Sequence, residues 1–238
     1  MVGLGPGGPL DRTRRAENAI AASSVIIGYS RYLDLIADLT RGKEIIASGM
    51  MKEVERCRIA LDRASRGDTV SLVSSGDPGI YGMAGLVIEL AAALENPPPV
   101  EIVPGVSSAN AAAARLGAPL MLDYAVISLS DLLVPWETIR ERLECIAAAD
   151  LVVALYNPRS KKRRTQIEDA AAIMGEYRPG TTPVGIATAV GTDDETIIVT
   201  DLEHFLEYDI NMRTVVIIGN RSSKNVLGRF ITPRGYRV

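Results

Sequence analysis

Short apolar runs alternate along the chain with longer segments in which apolar residues recur every three or four positions. In the first half the short runs are continuous and rich in Val and Ile, which is typical of strands buried on both faces of a sheet. The predicted strands there are 25–28, 43–47, 69–74 and 100–103. The predicted helices there are 12–22, 51–66, 79–94 and 107–116. This alternation predicts an α/β fold with a largely parallel sheet.

The second half repeats the alternation less regularly. Its predicted strands are 124–129, 151–156, 184–187, 196–199 and 214–219, its predicted helices are 135–148 and 161–175, and 231–238 is predicted to be a loose tail. Between the halves, residues 117–120 place a Gly and then a Pro where a helix must end. We therefore expect two α/β/α domains, 1–118 and 119–238. Ligands of such sheets bind beyond the carboxyl ends of the strands, and the cleft between the domains is the expected active site.

Composition narrows the classes of function. Hydrophobic residues make up 47% of the 238 residues and the net charge is only −3, so the chain can bury a core and is not a generally basic nucleic-acid binder. The longest apolar stretch, 84–94, is too short to span a bilayer, and the N-terminal residues do not have the pattern of a signal peptide. Two Cys and one His disfavour a disulfide scaffold or a multi-histidine metal centre and fit a reducing cytoplasm.

Residues 3–8 formally satisfy the G-x-G-x-x-G pattern of dinucleotide-binding turns. Only Met1 and Val2 precede this turn, Pro6 and Pro9 delay the following helix, and no acid stands at the end of the next predicted strand. A nicotinamide-binding oxidoreductase is therefore kept as an alternative of a different class. The other interpretation is a tight Gly/Pro turn, whose backbone still allows close approach of a ligand.

Two further turns, 74–79 and 104–108, each connect a predicted strand to a predicted helix. Asp77 is a good N-cap with Pro78 at the first helical position, and Ser107 or Ser108 is a candidate cap for the next helix. Free backbone N–H groups at such turns can bind a carboxylate. An acid there can accept from a ribose hydroxyl or an ammonium group.

Polar residues also follow the predicted strands 124–129 and 151–156. Asp131 is a candidate base or hydrogen-bond partner, or simply an acid of a turn. Five cations lie within six positions: Arg159, Lys161, Lys162, Arg163 and Arg164. Such a run is either a solvated helix face or a binding surface for a polyanion, whose carboxylates arginines pair in bidentate fashion. His204 is expected to be a surface or packing residue, whereas Cys57 and Cys145 are expected to be small hydrophobic residues buried on helices.

Six segments, in this order, resemble the tetrapyrrole methylases, which are the class III S-adenosylmethionine-dependent methyltransferases. They are GLGPG, SSGDPGIYG, VPGVSSANAAAARLGAPL, VALYNPRSKKRR, TPVGIATAVG and MRTVVIIGN, and they span nearly the whole chain. Within that family, ISLSDLLVPWETIRERL and ALYNPRSKKRR are similar to the precorrin-3B C17-methyltransferases, including the cobalt-factor III enzymes. The resemblance implies the two-domain tetrapyrrole methylase fold, with S-adenosyl-L-methionine as cofactor, usually in a homodimer.

The resemblance also implies site residues. Those assigned to the cofactor are Pro6, Ser75, Gly76, Asp77, Ile80, Ser107, Ser108, Asn157 and Val190. Two departures concern the adenine side: residues 187–191 have no basic residue or Asn, and Arg213 replaces a small polar residue common in relatives. The strand before the first glycine turn is also shorter than in relatives.

The implied reaction is methylation of a corrin precursor at C17 with ring contraction, in cobalamin biosynthesis. It converts precorrin-3B to precorrin-4, or cobalt-factor III to cobalt-precursor 4, and the sequence does not choose between them. We expect Asp131 to be the base for ring contraction with Ser130 as helper, and Arg159 and Lys161 to meet the acidic substituents of the substrate. The alternatives within the family are methylation of another ring position, a diphthine synthase-like acceptor, or a catalytically silent scaffold.

Overall fold

The computed structural model describes residues 1–237 of the chain, and the last predicted tail residue, 238, lies outside them. The chain forms two compact units, Met1–Ser108 (unit 1) and Ala109–Val238 (unit 2). The units divide ahead of residues 117–120, whereas the sequence places the domain boundary within them. Gly117 and Ala118 pair in parallel with Phe230 and Ile231, which joins this segment to the C-terminal part of the chain.

Unit 1 contains a parallel sheet, as predicted, although the first of its four strands was not predicted. Its strands are β1 (Val2–Gly3), β2 (Val25–Tyr29), β3 (Glu44–Ser48) and β4 (Val70–Ser74), in the order β1-β4-β2-β3. Its helices are α1 (Arg14–Ala22), α2 (Ser30–Asp34), α3 (Glu53–Ser65) and α4 (Ala84–Ala92), with short 3-10 turns at Pro9–Asp11 and Ala37–Leu39.

Both faces of the first sheet are covered, which explains its continuous apolar runs. Ile27 packs in a cluster with residues of α3 and α4, whereas its neighbour Ile26 packs in a second cluster with Ile20 of α1 and Leu33 of α2. Successive strand residues point to opposite faces, so both must be apolar when helices lie on both sides.

Two sequence predictions for unit 1 are wrong. Residues 100–103 form no strand; only Val103 bridges to Val2, with backbone hydrogen bonds to Met1 and Gly3. The helix predicted from residue 79 begins at Ala84, with Met83 and not Asp77 at the N-cap. The side chain of Asp77 is engaged elsewhere, as described below.

Unit 2 contains a mixed sheet of five strands. They are β6 (Tyr124–Ser128), β7 (Val152–Tyr156), β8 (Pro183–Thr188), β9 (Thr196–Asp201) and β10 (Thr214–Ile218), in the order β6-β7-β10-β8-β9. Only β6 and β7 pair in parallel; the other three pairs are antiparallel. The prediction of a largely parallel sheet is therefore wrong for this half, because short connections such as 189–195 can join only antiparallel neighbours.

Three helices cover the second sheet. They are α5 (Ser108–Leu116), α6 (Trp136–Ala148) and α7 (Gln166–Tyr177), and a 3-10 turn lies at Phe205–Glu207. Helices α6 and α7 pack on the sheet through Leu143, Ile173 and Met174, while Leu116 of α5 fills the space left by Gly185. Cys57 is buried, as predicted, but Cys145 on α6 is exposed, contrary to prediction.

The last two strands of the chain form a small three-stranded sheet with residues 117–118. Its strands are β5 (Gly117–Ala118), β11 (Lys224–Val226) and β12 (Arg229–Ile231), in the order β11-β12-β5. Three-residue strands carry too little periodicity to be recognised in the sequence. The segment after them is ordered at its start, since buried Thr232 donates its backbone N–H to the Ala118 carbonyl at 3.1 Å. Within residues 1–237, none of the helices has the length and apolar character needed to cross a bilayer.

Candidate active site

Three glycine-rich turns of unit 1 meet at the carboxyl end of the first sheet. The pairing of Gly3 with Ser74 sets Gly5 beside Gly76, and these two exchange backbone hydrogen bonds of 3.2 and 2.6 Å. A Cβ on Gly105 would overlap the Gly76 carbonyl oxygen and lie 2.9 Å from the Gly3 carbonyl carbon. The three turns therefore pack backbone against backbone, which only glycine permits at these positions.

The carboxylate of Asp77 joins two of these turns. Its Oδ1 accepts from the Gly79 backbone N–H at 2.8 Å and its Oδ2 accepts from the Gly105 backbone N–H at 3.1 Å. The predicted helix cap is wrong because these bonds fold residues 77–79 into a turn, and the Ala84 N–H then donates to the Pro78 carbonyl at 3.0 Å. The charge of Asp77 is thereby fixed at the edge where open parallel sheets bind ligands.

The remaining residues predicted in unit 1 lie on or next to these turns. Gly76 has φ +62, and its neighbourhood includes the Ser108 hydroxyl. Pro6, Ser75 and Ser108 are partly accessible and Ser107 is buried. Ile80 is exposed, and so is Tyr81, whose φ of +53 is unusual for a side chain with a Cβ. Sequence reasoning did not single out Tyr81, because a left-handed backbone at a non-glycine residue leaves no compositional signal.

The turns of unit 1 carry polar groups whose chemistry suits a nucleoside with an amino-acid tail. A carboxylate has about four lone-pair positions, and the two hydrogen bonds to Asp77 use only part of them. The rest can accept from ribose hydroxyls or from an ammonium group. The serines beside it at 75 and 108 are partly accessible and offer donors and acceptors.

In unit 2, the carboxyl ends of β6 and β7 are joined by side chains. Asn157, which follows β7, has φ +51, and its amide Nδ2 donates to the Ser128 hydroxyl at 2.9 Å. The same hydroxyl accepts from the Ser130 backbone N–H at 3.2 Å. Asn tolerates the left-handed region better than most residues. The predicted residues Ser130 and Asn157 thus belong to one hydrogen-bonded group.

Arg163 differs from its cationic neighbours in a way that the sequence did not reveal, because it is buried. It lies before α7, which begins at Gln166 and not at residue 161 as predicted. Its N–H donates to the Ser160 hydroxyl at 3.0 Å, and its carbonyl accepts from the Ser160 N–H at 2.8 Å. This turn directs the guanidinium inward, where it is 8% exposed. Burial lowers the pKa of Arg163, and the charge of Asp131 opposes that effect.

The run of five cations does not form a single surface. Arg159 pairs with Glu168 at 3.0 Å and Arg163 is buried, while Lys161, Lys162 and Arg164 are exposed. The prediction of a helix over residues 161–165 is therefore wrong, and the cations occupy a loop at the carboxyl end of β7. Asp131 is exposed and accepts from the Gln166 amide at 3.1 Å.

Val190 lies in a tight turn after β8. It is buried, Ala189 before it has φ +54, and the Gly191 N–H donates to Glu195 at 2.7 Å. The Ala189 N–H donates to the Arg213 carbonyl at 2.9 Å, and the Arg213 guanidinium pairs with Asp194 at 3.0 Å. The turn is thus ordered by contacts in which Arg213 takes part. Among the described residues, acids, His and Cys form no group of three or more suited to a metal ion.

Comparison with known proteins gives a consistent family. The family model for tetrapyrrole (corrin/porphyrin) methylases matches residues 1–206. The cobalt-factor III methyltransferase of Priestia megaterium is 45% identical over 241 residues, which are 100% of this chain and 45% of that protein. The probable cobalt-factor III C(17)-methyltransferase of Salmonella typhimurium is 40% identical, covering 100% of this chain and 99% of that one. The precorrin-3B C(17)-methyltransferase of a Sinorhizobium species is 40% identical over 95% of this chain and 90% of its own length.

The fold agrees with these relatives. The crystal structure of the methyltransferase CobJ superposes with a TM-score of 0.90 at 35% sequence identity, covering 98% of each chain. This chain spans less than half the length of the Priestia relative but almost all of the Salmonella one. With its six ordered motifs, its family match over residues 1–206 and this fold, the chain belongs to the tetrapyrrole methylases.

Proposed function

We propose that this protein methylates C17 of a corrin precursor with S-adenosyl-L-methionine and contracts the macrocycle in the same reaction. The observation that carries the proposal is the intact set of glycine turns, locked by Asp77, in a chain that aligns over its full length with C17-methyltransferases. A nicotinamide oxidoreductase fits less well, because the first glycine turn opens onto a 3-10 turn and its Gly5 is bonded to Gly76.

The cofactor supplies a methyl group on a sulfonium, which an electron-rich carbon can accept directly. The task of the protein is then to hold the two reactants in line, and such positioning can contribute several powers of ten in rate. On unit 1, Pro6, Ser75, Gly76, Asp77, Ile80, Ser107 and Ser108 are assigned to the cofactor. On unit 2, Asn157 and Val190 are assigned to it by the same resemblance.

Contraction of precorrin-3B, the oxygenated candidate substrate, requires a proton to leave an oxygen of that substrate. We assign Asp131 as the base that takes this proton and Ser130 as its helper. The Asp131 carboxylate is accessible and is steadied by the Gln166 amide at 3.1 Å. The Ser130 hydroxyl accepts from Arg163 at 3.3 Å, so its own proton is available to a substrate oxygen.

The substrate is proposed to be cobalt-factor III, with metal-free precorrin-3B as the competing candidate, because the relatives that cover this whole chain carry the first name. Both macrocycles bear acetate and propionate groups. Arg159 and Lys161 are assigned to these carboxylates. Following the resemblance, we also propose that the protein is a cytoplasmic homodimer. Light scattering on the purified protein measures its molar mass and so tests the dimer.

The deciding experiment incubates the protein with methyl-labelled S-adenosylmethionine and a mixture of precorrin-3B and cobalt-factor III. Mass spectrometry shows which macrocycle gains the label, and absorption shows whether the ring contracts. Label in a contracted ring supports the proposal and identifies the substrate. If the protein binds S-adenosylhomocysteine but labels neither compound, the corrin assignment is wrong, and elongation factor 2 is the next acceptor to test. If it binds NADH and not S-adenosylhomocysteine, the methyltransferase assignment is wrong.

A further inference from the structure

Arg163 connects the segment that follows β6, which contains Ser130, with the segment that follows β7, which contains Asn157. Its Nε and Nη2 both donate to the Asn157 carbonyl, at 3.1 and 2.8 Å. Its Nη1 donates to the Ser130 hydroxyl at 3.3 Å, and Nη2 also contacts the Met212 sulfur at 3.5 Å. Every nitrogen of the guanidinium is therefore in contact with one of the loops at the end of the sheet.

The contact with Asn157 fixes a backbone that residues with a Cβ seldom adopt. Asn157 has φ +51, and its carbonyl receives two of the guanidinium bonds while its side chain bonds Ser128. A planar fork satisfies one oxygen from two directions, which the single ammonium of a lysine cannot do in the same way. Without the fork, the Asn157 peptide loses the partner that holds it in this conformation.

The contact with Ser130 decides the direction of a proton. A hydroxyl has one hydrogen to donate, and an arginine offers only donors. Because the Ser130 oxygen accepts from Arg163, its hydrogen must point to another acceptor. The same cation lies near enough to Asp131 for their charges to interact. Ser130 and Asp131 thus both interact with one buried positive charge.

We propose that Arg163 is the positioning residue of the site, holding the Asn157 turn for the cofactor and the Ser130 hydroxyl for the substrate through one guanidinium. The inference rests on the proposed function, from which Asn157 and Ser130 take their roles. It predicts that a single conservative change at residue 163 impairs both cofactor binding and turnover. The neighbouring Arg164, which is exposed, should do neither.

The test compares Arg163→Lys with Arg164→Lys, the same substitution at adjacent positions, and adds Arg163→Gln, Ser130→Ala and the double variant Ser130→Ala/Arg163→Lys. Calorimetry with S-adenosylhomocysteine measures cofactor affinity without any tetrapyrrole. Methyl transfer measures kcat. Circular dichroism at the assay temperature verifies that each variant is folded.

We expect Arg163→Lys to weaken S-adenosylhomocysteine binding about fivefold to tenfold and to lower kcat at least tenfold, with Arg164→Lys within twofold of wild type. If Arg163 acts on turnover through Ser130, the double variant has a kcat no lower than about that of the worse single variant. A role in stability alone would lower the melting temperature and leave both readouts unchanged in folded protein.

Arg163→Lys behaving like Arg164→Lys would overturn the inference while leaving the methyltransferase assignment intact. Independent, multiplicative losses in the double variant would also overturn it, and so would loss of fold in both Arg163 variants. If wild type binds S-adenosylhomocysteine but transfers no methyl group to a corrin precursor, the calorimetric comparison still decides whether Arg163 holds the Asn157 turn for the cofactor. If wild type binds no S-adenosylhomocysteine, the proposed function and the inference fall together.

Discussion

Asp77 accepts a hydrogen bond of 3.1 Å from the backbone N–H of Gly105, a residue that follows it by 28 positions. Its other carboxylate oxygen holds Gly79 within its own turn. One side chain therefore sets the spacing of two glycine turns that are proposed to bind the same cofactor. Asp77 is therefore a structural residue and, under the proposed function, also a binding residue.

Replacing Asp77 by Asn should weaken both properties. The amide has one acceptor oxygen for two backbone donors, so one N–H faces an NH₂ group and loses its partner. We expect the free energy of unfolding to fall by about 1–3 kcal/mol and S-adenosylhomocysteine binding to weaken at least tenfold. Chemical denaturation and calorimetry measure these. The control is Asp34→Asn on α2, where the carboxylate is exposed; equal effects at both positions would contradict the assignment.

A pair of glycine-to-alanine changes tests the backbone packing of the turns. A Cβ on Gly105 collides with the backbone of Gly76 and Gly3, which cannot move as a flexible side chain would. A Cβ on Gly85, in α4, meets nothing within 4 Å. We expect Gly105→Ala to destabilise unit 1 or prevent its folding, and Gly85→Ala to stabilise it by about 0.5–1 kcal/mol through helix propensity. Thermal unfolding measures both, and a stable Gly105→Ala would refute this packing.

The sequence predicted the elements of unit 1 well because both faces of its sheet are buried. Short continuous runs rich in Val and Ile, such as that of β2, are typical of strands covered on both faces, since their length and β-branched residues disfavour a helix. It failed where long-range contacts override local signals. Asp77 followed by Pro78 has the local pattern of a helix start. The carboxylate instead accepts a hydrogen bond from the Gly105 backbone N–H, and the helix begins only at Ala84.

The candidate site shows the same limit. Its glycine turns were identified in the sequence because glycine and proline have few other reasons to recur at strand ends. Arg163 was not distinguished from its four cationic neighbours, because composition does not tell which of them a turn directs inward. The Ser160 hydroxyl makes that choice by accepting from the Arg163 backbone N–H. No local sequence pattern distinguishes this buried arginine from the cations of a solvated helix face.

The single histidine of the chain offers a direct test of one surface interaction. His204 lies 2.7 Å from Asp201, and this hydrogen bond, with the carboxylate charge, raises the pKa of the imidazole. A raised pKa in the folded state adds stability below the unfolded value of about 6.5, and that stability is lost as the pH rises through the folded pKa. NMR of the one imidazole should give a pKa above 6.5 that Asp201→Asn reverses. Glu203→Gln should change it much less, and an equal change would contradict the geometry.

Asp131→Asn tests the proposed base. Proton removal by a positioned side chain contributes about 10²–10⁴-fold, so ring contraction should slow by at least a hundredfold. The methyl label should still enter the macrocycle if methyl transfer needs no base. Mass spectrometry follows the label and absorption follows contraction. Asp123→Asn, an exposed acid on the loop before β6, is the matched control. Full contraction at the normal rate in Asp131→Asn would remove this residue from the mechanism.

The loop cations provide the last prediction, which the structure makes more specific than the sequence did. Arg159 already pairs with Glu168, so a substrate carboxylate must compete with Glu168 for it. Lys161 is exposed and is accessible to a substrate carboxylate. Exposed ion pairs contribute about 0.2–1 kcal/mol each. Because 1.4 kcal/mol corresponds to a factor of ten, loss of both pairs in Arg159→Gln/Lys161→Gln should raise the KM for the corrin precursor about twofold to thirtyfold.

The same double variant should leave S-adenosylhomocysteine affinity within twofold of wild type, and the KM difference should shrink as salt screens the charges. Lys161→Gln alone should account for the larger share, because Arg159 must first leave Glu168. The control Arg41→Gln/Arg58→Gln removes the same charge from exposed positions of unit 1 and should leave KM unchanged. If it raises KM equally, the effect is one of net charge. If neither pair alters KM, the loop is a solvated surface and the substrate carboxylates bind elsewhere.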